Sequence, residues 1–223
     1  MDNYYADKLN SQILFQVYDT SIPRIRQYLD EEINYVKERL SPADHVIELA
    51  AGYGRIVRCL APFCAAITGI DISKESVALS ESYLKDHPNA RIIEMDVHHL
   101  SLHTLFDTVL CLQNALSAMR ATPETIRNVI ALLAPGGTAY FSTYSARFWD
   151  WRIRWFEEQA QKGCLGALDY TQTKDGVIVC KDGFRATTQT PEELETIGRQ
   201  SGFPYELVEV DESSLFLIIR RPS

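Results

Sequence analysis

The sequence lacks any long apolar run. Its longest apolar stretches, such as Val109–Leu112 and Leu215–Ile219, fall far short of the roughly 20 residues that a membrane-spanning helix needs. The N-terminal sequence MDNYYADKLN is polar and contains acidic residues, unlike a secretory signal or an organelle transit peptide. We therefore expect a cytoplasmic protein that has no membrane partner.

Paired cysteines and excess positive charge are also missing. The five cysteines form an odd set without a CxxC pair, which favours reduced, structural thiols in a reducing compartment. Lys and Arg total 22 against 30 Asp and Glu, so the net charge is −8, and such a chain repels nucleic-acid phosphates. With only 11 Gly and 9 Pro, a fibrous or disordered chain is excluded, and residues 1–223 fit one domain.

What the sequence does contain is an alternation of short apolar runs and helical stretches. This alternation is typical of a parallel sheet with helices on both faces. The last two runs, Tyr205–Val210 and Ser214–Arg220, are separated by three polar residues and predict an antiparallel hairpin. We therefore expect about seven strands, mostly parallel. The earlier predicted strands are His45–Ala50, Ala65–Ile70, Arg91–Met95, Phe106–Leu112 and Thr138–Tyr144.

Two segments depart from this alternation. Apolar residues recur every three or four positions from Thr20 and predict a helix that ends at Pro42. Residues 1–42 are therefore expected to form a helical lid. Residues 145–190 carry all three tryptophans and a predicted hairpin around Lys181-Asp182-Gly183, and we expect them to form an inserted cap.

The most informative stretch is VIELAAGYGR, which begins at Val46. A predicted strand carries Glu48 near its end, and a turn with Gly52 and Gly54 then opens a helix. Glycines at these positions let a ligand approach the backbone amides at the start of the helix. A turn of this kind is equally compatible with a tight connection that binds nothing.

Further carboxylates follow the next two strands. Asp71 follows the second strand, at the place where an acidic residue accepts both hydroxyl protons of a ribose in nucleotide-binding sheets. Asp96 follows the third strand. Either residue alone is compatible with a loop acid or a helix cap. Together with Glu48, they predict one ligand site at the carboxyl edge of the sheet.

The predicted ligand is a nucleoside with a positive centre. A dinucleotide site needs a third small residue where this chain has Val57, and Glu48 would repel a pyrophosphate. S-adenosylmethionine fits better, because it combines a sulfonium, an ammonium, a ribose and an adenine without any phosphate. An NAD-dependent oxidoreductase remains an alternative that Asp71 alone would permit.

These motifs resemble those of the class I S-adenosylmethionine-dependent methyltransferases of the small-molecule type. ELAAGYG is similar to their first motif, with Ala50 in place of a glycine, and GIDIS, EMDVHHL and FDTVLCLQNAL are similar to the following ones. The resemblance implies a Rossmann-like α/β fold with a seven-stranded, mostly parallel sheet, and S-adenosyl-L-methionine as the cofactor. The implied cofactor-binding residues are Glu48, Ala50, Ala51, Gly52, Gly54, Asp71, Ile72, Asp96, Val97, Leu112 and Gln113.

The resemblance also implies methyl transfer to a small-molecule acceptor by in-line displacement, for which a strong base is not obligatory. Asn114 either orients the acceptor or caps the next segment. His98 is a hypothetical general base for a hydroxyl or thiol acceptor. Tyr5 completes the catalytic candidates, and an Ala replacement of His98 that left turnover unchanged would remove that residue from the set.

The candidates for substrate binding are mostly aromatic. Tyr4 and Tyr18 lie in the segment that folds over the cofactor in small-molecule members of the family, where a ring face attracts a sulfonium. Burial against the first helix explains these tyrosines equally well. Tyr144 ends the predicted fifth strand. Arg185 follows the predicted hairpin and fits either an anionic acceptor group or a surface ion pair.

The sequence predicts no metal site, because the nearby histidines have no partners in a zinc-binding pattern. These histidines are His98, His99 and His103. A monomer and a homodimer are equally compatible with the sequence, as are nitrogen, oxygen and sulfur as the methylated atom. A non-catalytic protein that binds S-adenosylmethionine is the second alternative function.

Overall fold

The computed structural model describes Tyr4 and residues 8–223. Its centre is a seven-stranded sheet in the order β3-β2-β1-β4-β5-β9-β8. The first five strands run parallel, whereas β9 is antiparallel to both β5 and β8. The predicted mostly parallel sheet with an antiparallel C-terminal hairpin is thereby confirmed. The strands are β1 (His45–Leu49), β2 (Ala66–Asp71), β3 (Ala90–Glu94), β4 (Phe106–Cys111), β5 (Leu133–Tyr144), β6 (Ile178–Val179), β7 (Arg185–Ala186), β8 (Tyr205–Val210) and β9 (Ser214–Arg220).

Helices cover both faces of this sheet. Because side chains alternate along a strand, Ile47 and Leu49 of β1 face one apolar cluster while Val46 faces the other. Glu48 shares the face of Val46, where the N-terminal helices pack. The helices are α1 (Ser11–Tyr18), α2 (Pro23–Lys37), α3 (Arg55–Leu60), α4 (Lys74–Tyr83), α5 (Ala115–Ala118), α6 (Pro123–Ile130), α7 (Trp149–Gln161) and α8 (Pro191–Ser201).

The N-terminal segment differs from the predicted helix between Thr20 and Pro42. Helix α2 begins at Pro23, because proline fits the first turn of a helix, and a separate helix α1 precedes it. Thr20 and the Ser21 amide donate hydrogen bonds to the Glu158 carboxylate, which holds the break between α1 and α2. The helix also ends earlier than Pro42, at Lys37.

The segment after β5 contributes one helix and a small hairpin. Strands β6 and β7 pair antiparallel, with Ile178 opposite Ala186, which confirms the predicted hairpin. Trp155 of α7 is buried in an apolar cluster shared with Tyr28 of α2 and Phe184 of the hairpin. The segment therefore packs on the N-terminal helices. Within the described residues, no helix is both long and apolar enough to cross a membrane.

Candidate functional site

A cavity of about 440 Å³ lies at the carboxyl ends of β1 to β4. This edge is where ligands bind in open α/β sheets. Helix α1 contributes Leu14 and Tyr18 to its wall, so the N-terminal segment borders the same space. The candidate residues that line the cavity are Tyr18, Glu48, Ala50, Ala51, Gly52, Asp71, Ile72, Asp96, Val97, His98, Leu112 and Gln113.

The turn after β1 requires glycine at position 52. Gly52 has a φ of 55°, and a Cβ atom there would lie only 2.7 Å from Leu14 Cδ2. Ala50 also has a left-handed backbone, with a φ of 53°. Gly54 is the N-cap of α3 and does not line the cavity. The turn therefore exposes its backbone to the cavity at Gly52, beneath helix α1.

Asp71 fixes this turn from the end of β2. Its Oδ2 accepts the Gly52 amide at 2.8 Å, and its Oδ1 accepts the Ser73 amide at 2.9 Å. Burial raises the pKa of the Asp71 carboxyl, although these backbone hydrogen bonds oppose the shift. The Ile72 amide also interacts with this carboxyl. A carboxylate has about four acceptor positions, so a ribose hydroxyl can still donate to it.

Asp96 and an apolar slot lie on the β3 side of the cavity. Partial burial disfavours the Asp96 carboxylate, but hydrogen bonds from the His98 amide and the His99 ring keep its pKa lowered. The neighbouring wall is apolar, which suits a flat aromatic base. It is formed by Met95, Val97, Ala115, Ala118 and Met119.

Glu48 is a buried carboxyl with unused hydrogen-bonding capacity. It is 4% exposed, and its Oε2 has no hydrogen-bond partner in the described part of the chain. Burial raises its pKa from 4.5 to about 8, although the charge of Arg55 opposes this shift. A cation bound in the cavity would favour the ionised form of this carboxyl and could pair with it.

Arg55 is a candidate that the sequence reasoning missed. It lines the cavity at the start of α3, with its guanidinium 4.5 Å from the centre of the Tyr18 ring. Its Nε and Nη2 atoms are buried and have no hydrogen-bond partner among the described residues. These two N–H groups form one edge of the guanidinium, the geometry that binds a carboxylate bidentately. A cation at the start of a helix is electrostatically unfavourable, so the position of Arg55 was the sequence feature that could have identified it as a site residue.

His98 lines the cavity with both ring nitrogens engaged. Its Nδ1 lies 2.8 Å from the Thr125 hydroxyl, and its Nε2 lies 2.9 Å from the Met119 carbonyl oxygen. A carbonyl can only accept, so Nε2 carries the proton and Nδ1 accepts from Thr125. The ring thus ties the segment after β3 to α6 and has no free lone pair for a general base.

We expect His98→Ala to lower stability and leave ligand binding nearly unchanged. Loss of two partly exposed hydrogen bonds should reduce the free energy of unfolding by about 1 kcal/mol, as measured by urea titration. His103→Ala is the control, because that side chain is exposed. A fully stable His98→Ala variant would contradict the structural role assigned to the ring.

Asn114 is buried just outside the cavity lining. Its Nδ2 donates to the Thr187 carbonyl at 2.8 Å, and its Oδ1 accepts the Thr143 hydroxyl at 2.8 Å. Its φ is 61°, in the left-handed region. The side chain therefore joins the end of β4 to β5 and to the segment after β7, so both of its amide atoms are committed to the protein.

Three further substrate candidates, Tyr4, Tyr144 and Arg185, do not line the cavity. Tyr144 is buried with its ring 5.5 Å from that of Tyr28. Tyr4 donates a hydrogen bond to the Asp182 carboxylate in the hairpin. Arg185 is exposed in β7, and Tyr5 lies outside the described residues. In that described part, no group of three or more His, Cys, Asp or Glu residues is arranged to hold a metal ion.

Comparisons with known proteins agree with this geometry. Residues 46–137 match the family model described as a methyltransferase domain. Nodulation protein S of Sinorhizobium fredii is 26% identical over 104 residues, which is 46% of this chain and 48% of that protein. A ubiquinone biosynthesis O-methyltransferase of Coxiella burnetii is 25% identical over 119 residues, which is 52% of this chain and 50% of that protein. The chain spans about half the length of these curated relatives.

Solved structures extend the likeness to the whole fold. The N-methyltransferase NodS from Bradyrhizobium japonicum, in complex with S-adenosyl-L-homocysteine, aligns with a TM-score of 0.59 at 18% identity and covers 100% of both chains. Magnesium protoporphyrin IX methyltransferase from Synechocystis aligns with a TM-score of 0.65 at 16% identity, covering 99% of this chain and 98% of that one. These likenesses show that the chain has the fold of these solved structures, and its residues 46–137 match a methyltransferase domain.

Proposed function

We propose that this chain binds S-adenosylmethionine in the cavity and transfers its methyl group to a small-molecule acceptor. The observation that carries the proposal is the pairing of Glu48 and Arg55 on one wall. Glu48 offers a buried hydrogen-bond acceptor and Arg55 offers a buried two-donor edge. An amino-acid group has an ammonium and a carboxylate, so its two ends complement this pair. The methionine part of the cofactor therefore fits this wall.

The remaining cofactor contacts follow from the strand order. In this proposal, Asp71 accepts the ribose hydroxyls, and Asp96 with Val97 borders the adenine in the apolar slot. The β1 turn lies under the methionine, and the segment after β4 lies beside the reacting group. The proposal assigns Ala50, Ala51 and Gly52 to the turn. It assigns Ile72 to the start of the loop after β2, and Leu112 and Gln113 to the segment after β4.

Catalysis in this site depends on alignment. S-adenosylmethionine supplies a methyl group on a positively charged sulfur, which a nucleophile displaces in line. The chain's own contribution is to orient the two reactants and to exclude water, which avoids a large entropic cost. Tyr18 presents its ring to the cavity, and Leu14 closes over Gly52. We infer that helix α1 acts as part of a lid.

The wider organisation belongs to the same proposal. Residues 1–42 would form the lid and residues 145–190 the cap of a single domain, 1–223, that works in the cytoplasm as a monomer or a homodimer. The relatives support small-molecule methyl transfer without naming the atom. One is named as an N-methyltransferase, and others are named as O-methyltransferases.

The test is calorimetric titration with S-adenosylmethionine, S-adenosylhomocysteine and NAD in parallel, followed by incubation with a metabolite extract. We expect binding of the first two ligands and formation of S-adenosylhomocysteine that depends on the extract. Binding of NAD alone would favour the oxidoreductase. Binding of S-adenosylmethionine without any turnover would favour a non-catalytic binding protein.

We expect Asp71→Asn to weaken binding of S-adenosylmethionine and of free adenosine by the same factor. Both ligands share the ribose, and loss of a charged acceptor costs roughly 1.5–3 kcal/mol. Calorimetry measures both affinities. Glu94→Gln, at the exposed end of β3, is the matched control. An unchanged adenosine affinity in folded Asp71→Asn would place the ribose elsewhere.

A further inference from the structure

Helix α2 brings a buried carboxyl to the same edge of the sheet. Glu32 is 1% exposed, and its Oε1 accepts the Ser214 hydroxyl at 3.1 Å. Its Oε2 has no hydrogen-bond partner in the described part of the chain. The Ser142 side chain and the Gln113 amide also interact with this carboxyl, but burial of a carboxyl is costly even so, and its presence calls for a physical reason. Glu32 also lies outside the segment that matches the methyltransferase family model.

The position of Glu32 separates it from the nucleoside-binding side. Asp71 and Asp96 follow β2 and β3, on one side of β1 in the strand order. Glu32 instead lies near Ser142 of β5, Ser214 of β9 and the Gln113 amide after β4, on the other side of β1. Neither Glu32 nor any residue of β5 or β9 lines the cavity, so the carboxyl lies behind the cavity wall, next to the segment after β4 that the proposed function places beside the reacting group.

Gln113 links this carboxyl to the cavity. Its backbone amide donates to the Ser142 hydroxyl oxygen at 2.8 Å, and its φ of 54° is left-handed. Its side chain lines the cavity, where Nε2 is buried without a partner among the described residues. The Ser142 hydroxyl therefore links the Glu32 carboxyl to Gln113, a residue that lines the cavity.

Arg55 is the cation that faces Glu32, and the proposed function commits its free edge to the cofactor carboxylate. Burial raises the pKa of Glu32 from 4.5 to about 7, and Ser142, Ser214 and Arg55 oppose this shift. Arg152 donates to the Gly176 carbonyl and the Thr188 hydroxyl instead. The other titratable groups that interact with Glu32 are Tyr18, Tyr28, Glu48, Cys111 and Tyr144.

We propose that the Glu32 carboxylate makes this site selective for a nitrogen nucleophile, so that the acceptor is an amine. The inference rests on the proposed function. The acceptor ammonium first releases a proton to solvent, and the lone pair of the resulting neutral amine then forms the new N–C bond while the C–S bond breaks and its electron pair stays on sulfur. Positive charge thus passes from sulfur to nitrogen, and the methylated ammonium then releases a proton to solvent. Glu32 stabilises positive charge throughout this transfer.

The same Glu32 carboxylate disfavours oxygen and sulfur nucleophiles that react as anions. A phenolate, alkoxide or thiolate brings a negative charge beside a second buried negative charge, and like charges in a low-dielectric site repel strongly. A neutral hydroxyl avoids this repulsion but is a weak nucleophile and needs a base. His98 has both ring nitrogens engaged and does not supply that base. An amine requires neither an anionic state nor a base during the transfer.

The first test needs no acceptor. Because S-adenosylmethionine carries a sulfonium and S-adenosylhomocysteine a neutral thioether, their affinity ratio reports the field at the reacting centre. At pH 8.5 we expect Glu32→Gln to reduce this ratio about 10-fold. The ratio should be unchanged in Glu31→Gln, the same substitution one residue earlier on α2. An unchanged ratio in Glu32→Gln would overturn the proposal. A wild-type protein that binds neither ligand would overturn the proposed function instead.

The second test uses the wild-type protein alone. The protein is incubated with S-adenosylmethionine carrying a CD₃ group and with a metabolite extract, and mass spectrometry locates the label. Label on nitrogen supports the amine acceptor. Label on oxygen, sulfur or carbon overturns it while leaving the transferase activity intact. The absence of any labelled product from a protein that binds the cofactor overturns both.

Discussion

Arg55→Met is expected to weaken binding of S-adenosylmethionine about 100-fold while the protein stays folded. Methionine keeps most of the side-chain volume beside Tyr18 but removes the Nε and Nη2 donors that are buried at the cavity wall. A bidentate, charge-assisted pair with a carboxylate is worth roughly 2–3 kcal/mol, because a buried partner left unpaired keeps its desolvation cost. Calorimetry at constant pH gives the affinities.

A second ligand makes this test specific for the carboxylate. 5′-Methylthioadenosine keeps the adenine, ribose and sulfur of the cofactor but has no amino-acid group, so Arg55→Met should bind it as tightly as the wild type does. Arg58→Met is the matched control, because Arg58 lies on the same helix over the Tyr83 ring and is exposed. Equal losses for both ligands would mean that Arg55 supports the fold of the cavity rather than the cofactor carboxylate.

The features that were predictable from the sequence depend on local pattern. Alternating apolar runs predicted the strands, and the ends of parallel strands meet at one edge. Glu48 near the end of β1, Asp71 at the end of β2 and Asp96 after β3 accordingly line one cavity. The family motifs span this same region, residues 46–137. The carboxyl edge of the sheet was therefore predictable because each contributing signal lies within a few residues of a strand.

The burial of Glu32 could not be predicted from the local sequence pattern. It is the third of three consecutive acids, Asp30, Glu31 and Glu32, a residue type that is rarely buried. Only the packing of α2 against β9 decides which of them is buried, and the deciding partner, Ser214, is 182 residues away. His98 is a similar case, because Thr125 of α6 occupies its Nδ1 only in the folded chain.

Asn114 shows the same limit at the end of β4. The sequence left two roles open for it, and neither involved the segment after β7. The Thr187 carbonyl that accepts its amide lies 73 residues further along the chain. Long-range hydrogen bonds of this kind depend on how the inserted segment folds back, which periodicity and spacing do not encode.

Glu48→Gln is expected to stabilise the free protein at alkaline pH while weakening its binding of S-adenosylmethionine. The pKa of Glu48 rises from 4.5 to about 8 on folding, mainly through burial. A raised pKa means that the folded state favours the protonated form. This contribution to stability is complete below pH 4.5 and is lost as the pH rises through about 8. Glutamine never ionises, so the variant avoids that loss.

Glu48→Gln should therefore raise the free energy of unfolding at alkaline pH and lower the affinity for S-adenosylmethionine. At pH 9 we expect urea titration to give Glu48→Gln a free energy of unfolding at least ~2 kcal/mol above that of the wild type, with little difference at pH 5. Binding of S-adenosylmethionine to the wild type should tighten between about pH 6 and 7.5, because the fraction of Glu48 that is ionised rises while the ligand's ammonium is still largely protonated. In Glu48→Gln, binding should be weaker and nearly independent of pH over this range. Glu38→Gln is the control, because the Glu38 side chain is exposed. A Glu48→Gln variant that lost both stability and affinity at pH 9 would contradict this account, because the wild-type Glu48 carboxylate would then serve the fold rather than the ligand.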